Sequence, residues 1–268
     1  MIKECTMILC TCDAYEDTWI PFFACLEKYW PDFDMPVVIN TESKSFKYKK
    51  FNIKTFNLFQ DRKVPWGERL IEHLKRIETK YVLFMLDDFF LARQVNVETI
   101  SDCITWMEEN DNIAVFSFHR VDDEKNLSSD KYVDFELRPR NGQYRFNCQA
   151  AVWRRERLIE FVKKNESPWD WEIFGSIRSR KFNDEFYSLI DGVEEPLFYN
   201  MYANGTGICR GKWVKNVVVP LFDELELNID YSIRGFSNDD ETTVDRRTLI
   251  QKCMTKLKKL RAYIQSLL

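Results

Sequence analysis

A chain of 268 residues, 45% hydrophobic and 31% charged, can bury the core of one large α/β domain or of two small ones. Its 39 basic and 43 acidic residues leave a formal charge of -4, which excludes the strong basic excess of a dedicated nucleic-acid binder. The eight cysteines form no C-x-x-C pair, which argues against a zinc ribbon or a redox motif and fits free thiols in a reducing cytoplasm. The opening MIKECTMILCTCD lacks the apolar core of a signal peptide, and no apolar run approaches the ~20 residues that cross a bilayer. A cytoplasmic location is expected.

TMILCT (6–11) predicts a buried first strand that feeds a loop at Asp13. Asp17 or Thr18 then caps a helix through FFACLEKYW, with Pro21 in its first turn and Pro31 at its stop. PVVIN (36–40) predicts a second strand, ended by Thr41 and Glu42, and a weaker third lies near 53–56. WGERLIEHLKRI (66–77) places Trp66, Leu70, Ile71, Leu74 and Ile77 on one helical face, with His73 on the surface. Tyr81 to Leu86 is apolar without alternation, as in a central strand covered on both faces. Asn96 or Thr99 starts a helix reaching Asn110, and IAVFSF (113–118) is the next strand. This alternation predicts an α/β fold with a mainly parallel central sheet and flanking helices.

Beyond residue 120 the pattern is mixed. Residues 121–130 read as loop, YVDFEL (132–137) alternates, and Asn141-Gly142 predicts a hairpin into QYRFNCQAAVW. Helical pieces follow at about 154–164 and 169–179. The stretch 182–220 reads as short strands and turns, with turn signals at Asp191-Gly192 and Asn204-Gly205. The segment 245–268 is an amphipathic helix. Leu249, Ile250, Cys253, Leu257, Leu260, Ile264 and Leu267 make its stripe, and Arg246, Arg247, Lys252, Lys256, Lys258, Lys259 and Arg261 supply charge. Such a helix docks on the domain or on a second subunit, or makes peripheral contact with an anionic membrane surface at the inner face.

Asp87 and Asp88 follow the apolar run of the central strand, at the end where open α/β sheets bind ligands. Two adjacent carboxylates there suit Mg²⁺ or Mn²⁺, which take oxygen ligands and are often shared with a diphosphate. The plainer reading is a pair that caps a turn. The block SPWDWEIFGS offers a second cluster: Ser167 caps a helix with Pro168 first, so Trp169, Asp170, Trp171 and Glu172 occupy its first turns. Two tryptophans beside two acids can hold a sugar ring and deprotonate its hydroxyl, although the helix dipole also accounts for the acids.

The chain resembles glycosyltransferases of the A-type fold, in particular a bacterial surface-polysaccharide group. The resemblance rests on CDAYEDTWIPFFACLEKYWPDF, WGERL, YVLFMLDDFFL, CQAAVWRRERL and ESPWDWEIFGS in that order, with GKW at 211–213 as an extension. It implies transfer of a sugar from a nucleoside diphosphate sugar to a saccharide or lipid-linked acceptor, with an inverting outcome. It also implies a nucleotide-binding half over 1–120 and an acceptor half over 121–240 of one domain, with 241–268 as an appended helix. Asp87 and Asp88 match the D-x-D-like motif, here Leu-Asp-Asp-Phe with one Asp of a strict motif missing. Asp88 is the first candidate metal ligand, and Asp87 holds the ribose or a metal-bound water. Asp13, Tyr15, Thr41 and Glu42 are candidates for the base and ribose, and Trp66 and Arg69 for the diphosphate side. Gln149 is a candidate for a donor-sugar hydroxyl, Trp169 and Trp171 for the acceptor. Glu172 is the candidate base, with Asp170 second. Tyr15 as a half-buried aromatic and Arg69 in a surface pair with Glu68 or Glu72 are the plainer alternatives. A nucleotidyltransferase is disfavoured by the loop CDAYED, which has no glycine or lysine, and a non-catalytic saccharide- or partner-binding domain stays open.

Overall fold

The computed structural model describes residues 2, 4–60, 62–121, 127–128, 131–201, 205–237 and 248–267. The first half runs β1 (Cys5–Cys10), a 3-10 turn (Asp13–Thr18), α1 (Trp19–Tyr29), β2 (Val37–Ile39), β3 (Ile53–Lys54), α2 (Trp66–Leu74), β4 (Tyr81–Leu86), α3 (Val97–Glu109) and β5 (Ile113–Ser117). Then come β6 (Leu127–Ser128), β7 (Phe135–Leu137), β8 (Ala151–Arg154) and α4 (Arg155–Phe161). A helical run follows, made of α5 (Pro168–Asp170), a π-helical stretch (Trp171–Gly175) and α6 (Ser176–Arg178). The chain continues through β9 (Glu185–Leu189), β10 (Ile208–Cys209), β11 (Lys212–Trp213), α7 (Lys215–Glu224) and α8 (Leu249–Leu267).

Nine strands form one sheet in the order β3-β2-β1-β4-β8-β5-β9-β7-β6. The four strands from β3 to β4 are parallel, as is the β5–β9 pair, while β8 and β7 run against their neighbours. Because β8 threads between β4 and β5, the two halves of the sequence share this sheet. The unalternating apolar runs have their cause in burial on both faces. Met7, Leu9, Leu83 and Met85 join the core beneath α1, α3 and α7, whereas Ile8, Cys10, Val82 and Phe84 join the core beneath α2 and α4.

Local signals worked where the interaction is local. Asn96 caps α3, its side chain accepting from Thr99 N at 3.2 Å, and Ser167 caps α5 by accepting from Asp170 N at 3.2 Å. Four readings need correction. Asn141-Gly142 makes a turn, with Gly142 N donating to Pro139 O at 2.9 Å, but no hairpin: β7 pairs with β6 and β9, and β8 with β4 and β5. Residues 215–220, the end of the stretch read as strands and turns, open a helix, Lys215–Glu224, with Pro220 inside it. Thr18 makes no side-chain cap. His73 is buried, because its helical face meets Phe56 and Phe59 at ring-centroid distances of 5.8 and 6.3 Å. Burial lowers its pKa to about 4, so the imidazole is neutral, bonded through Nδ1 to Arg69 O at 2.9 Å. Asn204, Arg246 and Arg247 lie outside the described residues.

α2 meets the loop after α4 backbone to backbone. Gly67 N donates to Glu166 O at 3.0 Å and Glu68 N to Lys164 O at 2.9 Å. A Cβ at Gly67 would lie 2.0 Å from Lys163 O, which no rotamer relieves. Gly67→Ala is therefore expected to destabilise the fold by about 3 kcal/mol, read as a lower midpoint in urea unfolding.

Candidate active site

β1 and β4 pair in parallel with Cys10 opposite Leu86, so Thr11 and Asp87 leave the sheet side by side. Thr11 Oγ1 donates to Asp87 Oδ2, and Thr18 Oγ1 reaches the same oxygen at 3.3 Å. Trp19 Nε1 donates to Thr11 Oγ1 at 2.9 Å and fixes that hydroxyl. Asp88 is half-buried and is held from the opposite side: Thr206 Oγ1 and Ile208 N, at 3.3 Å, donate to its Oδ2, and Gly207 N donates to its carbonyl at 3.0 Å. Gly207 is required for this approach, since a Cβ there would sit 2.1 Å from the Phe90 ring. Phe89 stacks on Tyr199 at 4.2 Å, and Phe90 packs edge-on against Phe222 at 5.0 Å, so both aromatics after the acids are anchors.

Burial is the main force raising the pKa of both carboxyls. The Asp88 charge raises Asp87 further, and the Thr11 and Thr18 hydroxyls and the Arg234 guanidinium only partly oppose it. Two hard oxygen donors with this uncompensated charge fit a divalent cation that takes its remaining ligands from a diphosphate and water. Among the described residues no group of three or more His, Cys, Asp or Glu side chains is arranged to hold a metal.

Around the pair, the candidates Asp13, Glu42 and Arg69 form one network. Asp13 accepts from Glu42 N at 3.0 Å, from Ser43 N at 3.0 Å and from Ser43 Oγ at 2.5 Å, so its carboxylate ties the loop after β1 to the loop after β2. Burial opposes its ionisation, but the Ser43 hydroxyl and the loop amides prevail and lower its pKa. Glu42 accepts from Asp13 N at 2.7 Å and from Arg69 Nη1. Arg69 is buried rather than on the surface, and its partners are Glu42 and Thr11 O, at 2.9 Å, not Glu68 or Glu72. Thr41 is fully buried, donating to Lys44 O at 2.8 Å, which directs it to the loop backbone instead of a ligand.

Arg234 went unmarked in the sequence. Its guanidinium lies 4.0 Å from the centre of the Tyr15 ring, pairs with both oxygens of Asp17, and donates to Ala14 O at 3.0 Å and Gly211 O at 3.3 Å. It brings positive charge to the acidic pair from a segment with no motif of its own; the nearby GKW block is the one hint that this end of the chain belongs to the site. Thr11, Thr18 and Thr206 were also missed, since lone threonines carry no pattern.

The other candidates divide. Glu172 Oε1 accepts from Cys148 N at 2.8 Å, next to Gln149, whose Oε1 accepts from Tyr199 Oη at 2.6 Å. Burial raises the Glu172 pKa against the pull of the Cys148 amide. Tyr199 also stacks on Phe89, so Gln149 is tied to the aromatic that follows the acidic pair. Asp170 points elsewhere and pairs with Lys258 of α8 at 3.0 Å. Trp169 is exposed, but Trp171 is fully buried among Trp66, Phe84, Phe146 and Trp153. An acceptor cannot reach it, so Trp171 is core packing, and the half-buried Trp66 packs against the same cluster.

No family model matches the sequence, and no curated protein matches it. Several solved structures match the chain. S. aureus TarS residues 1–349 in complex with UDP-GlcNAc matches 98% of this chain and 81% of that one, with a TM-score of 0.51 and 13% identity. A longer TarS structure matches 98% of this chain over 49% of its own length, with a TM-score of 0.49 and 13% identity. The galactosyltransferase LgtC, in complex with donor and acceptor sugar analogues, matches 58% of this chain and 59% of that one, with a TM-score of 0.35 and 12% identity. The fold is thus the A-type glycosyltransferase fold expected from the motif blocks, and the first TarS structure is the neighbour that carries this statement.

Raised pKa values make the acidic pair a cost to the folded state that is absent at low pH and grows as pH rises through the folded-state values. Asp87→Asn keeps an acceptor for Thr11 and Thr18 and removes that charge. Without metal or ligand, it is expected to stabilise the protein by about 1 kcal/mol at pH 8, with the gain shrinking toward pH 4, as read by urea unfolding across pH.

Proposed function

We propose that this protein transfers a sugar from a nucleoside diphosphate sugar to a saccharide or lipid-linked acceptor, in surface polysaccharide synthesis. The observation that carries the reading is the acidic pair at the end of β4, clamped by Thr11 and Thr206 and flanked by Arg234. That UDP-GlcNAc is bound in the TarS neighbour agrees with a nucleotide-sugar donor.

A bound Mg²⁺ or Mn²⁺ would offset the charge that grows on the departing diphosphate. Asp88 would be its ligand, and Asp87, fixed by two threonines, would hold ribose or a bound water. Tyr15 offers a half-buried ring for the base, with one face covered by Arg234. The Asp13–Glu42–Arg69 network shapes the loops around that ring rather than spending its charges on phosphate. Gln149, bonded to Tyr199, would hold a donor-sugar hydroxyl. Glu172 would take the acceptor proton, and inversion follows if the acceptor attacks from the face opposite the leaving diphosphate. A desolvated carboxyl is a stronger base than an ordinary glutamate once ionised, which suits that task.

Calorimetry with a panel of nucleoside diphosphate sugars, with and without Mn²⁺, is the first test: metal-dependent binding of one member supports the reading, and no binding of any member refutes it. Asp88→Asn is expected to lower transfer by about 10²–10³-fold. With Glu172 as base, the rate rises with pH through the raised pKa of that carboxyl, so the acid limb lies above the usual glutamate range. Glu172→Gln should abolish the limb and lower kcat by about 10²–10⁴-fold while donor affinity persists; an unchanged pH profile would remove Glu172 from the mechanism.

A further inference from the structure

α8 docks on the domain with the face its sequence pattern does not favour. Ala262, 2% exposed, packs against Phe174 and Ile177. Lys258 pairs with Asp170 at 3.0 Å, Gln265 Oε1 accepts from Lys163 Nζ, and Arg180 lies over the Tyr263 ring at 5.3 Å. These partners place residues 258, 262 and 265 against the protein. At 3.6 residues per turn the apolar stripe then falls on the far side. Leu257, Leu260, Ile264 and Leu267 are 62%, 57%, 51% and 86% exposed, and Cys253 and Met254 are also exposed. Soluble surfaces scatter such residues singly, and a row of them along one helix marks an interaction surface.

Charge decides the partner. α8 carries Lys252, Lys256, Lys258, Lys259 and Arg261 and no acidic residue, on a chain whose total is -4, so the remainder is more acidic still. Lys256 and Lys259 border one edge of the stripe and Arg261 the other. A second copy of the same helix would bring these cations against each other, whereas an anionic headgroup layer complements them. No helix of the described residues is long and apolar enough to cross a membrane, so the apolar face is suited to lying in an interface.

The geometry points to α8 as a peripheral membrane-docking helix. It sinks Leu257, Leu260, Ile264 and Leu267 among acyl chains while Lys256, Lys259 and Arg261 meet lipid phosphates. The inference stands apart from the transfer chemistry, because none of these residues belongs to the proposed site.

Co-sedimentation of the full chain with phosphatidylglycerol-containing and pure phosphatidylcholine vesicles tests it. Partitioning onto the anionic vesicles is expected to be at least roughly tenfold stronger, since each cation near such a surface contributes several-fold. Leu257→Glu with Leu260→Glu, and separately Lys256→Glu with Lys259→Glu, should each lower it roughly tenfold or more, with circular dichroism and the urea unfolding midpoint unchanged. No binding, or equal binding to both vesicle types, overturns the inference. So does a concentration-dependent dimer that the leucine variant dissolves without any vesicle binding, since the stripe would then serve a second copy.

Discussion

Two neighbouring carboxylates must leave the same strand and stay largely out of water, and much of the molecule is arranged around that constraint. The charge cost is met from both flanks. β1 supplies Thr11 through its parallel register with β4, and the turn after it supplies Thr18. The chain more than a hundred residues later supplies Thr206, the Ile208 amide and a glycine that lets this backbone come close. Arg234 adds a guanidinium that is itself held by Asp17. The hydroxyls and the amide satisfy hydrogen bonds without cancelling the charge. The acidic pair therefore stays electrostatically unfinished, which is the condition in which a cation binds well.

What the sequence disclosed follows from the range of the forces involved. β1 and β4 were legible because burial on both faces leaves a mostly apolar run without alternation, a property contained in the run itself. The caps Asn96 and Ser167 were legible because their partners lie three residues away. α7 was not: KNVVVPLFDE is rich in β-branched residues and contains a proline, and its helical state is set by packing of Val218, Leu221 and Phe222 into the core. The false hairpin at Asn141-Gly142 shows the same limit, since a turn signal fixes the turn and not which strand pairs next.

Candidate residues sort by the same rule. Asp87, Asp88 and Glu172 were marked from position on their elements, and burial raises the pKa of all three. Trp171 was misplaced because a helix start alone does not tell which side turns inward, and its ring is fully buried. Arg69 carried no local clue that Glu42, at the end of another strand, was its partner. Arg234 was invisible for the same reason.

The clamp on Asp88 has a temporal side. Thr206 closes on it across 118 positions of sequence, and Arg234 reaches Asp17 across 217. Such pairings form late, because the chain must first lose the entropy of large loops. A chain that has folded only its leading strands holds the aspartates in solvent, ordinary in acidity and without Arg234 beside them. A product that lacks the segment from Thr206 to Arg234 would therefore present the acidic pair without this clamp.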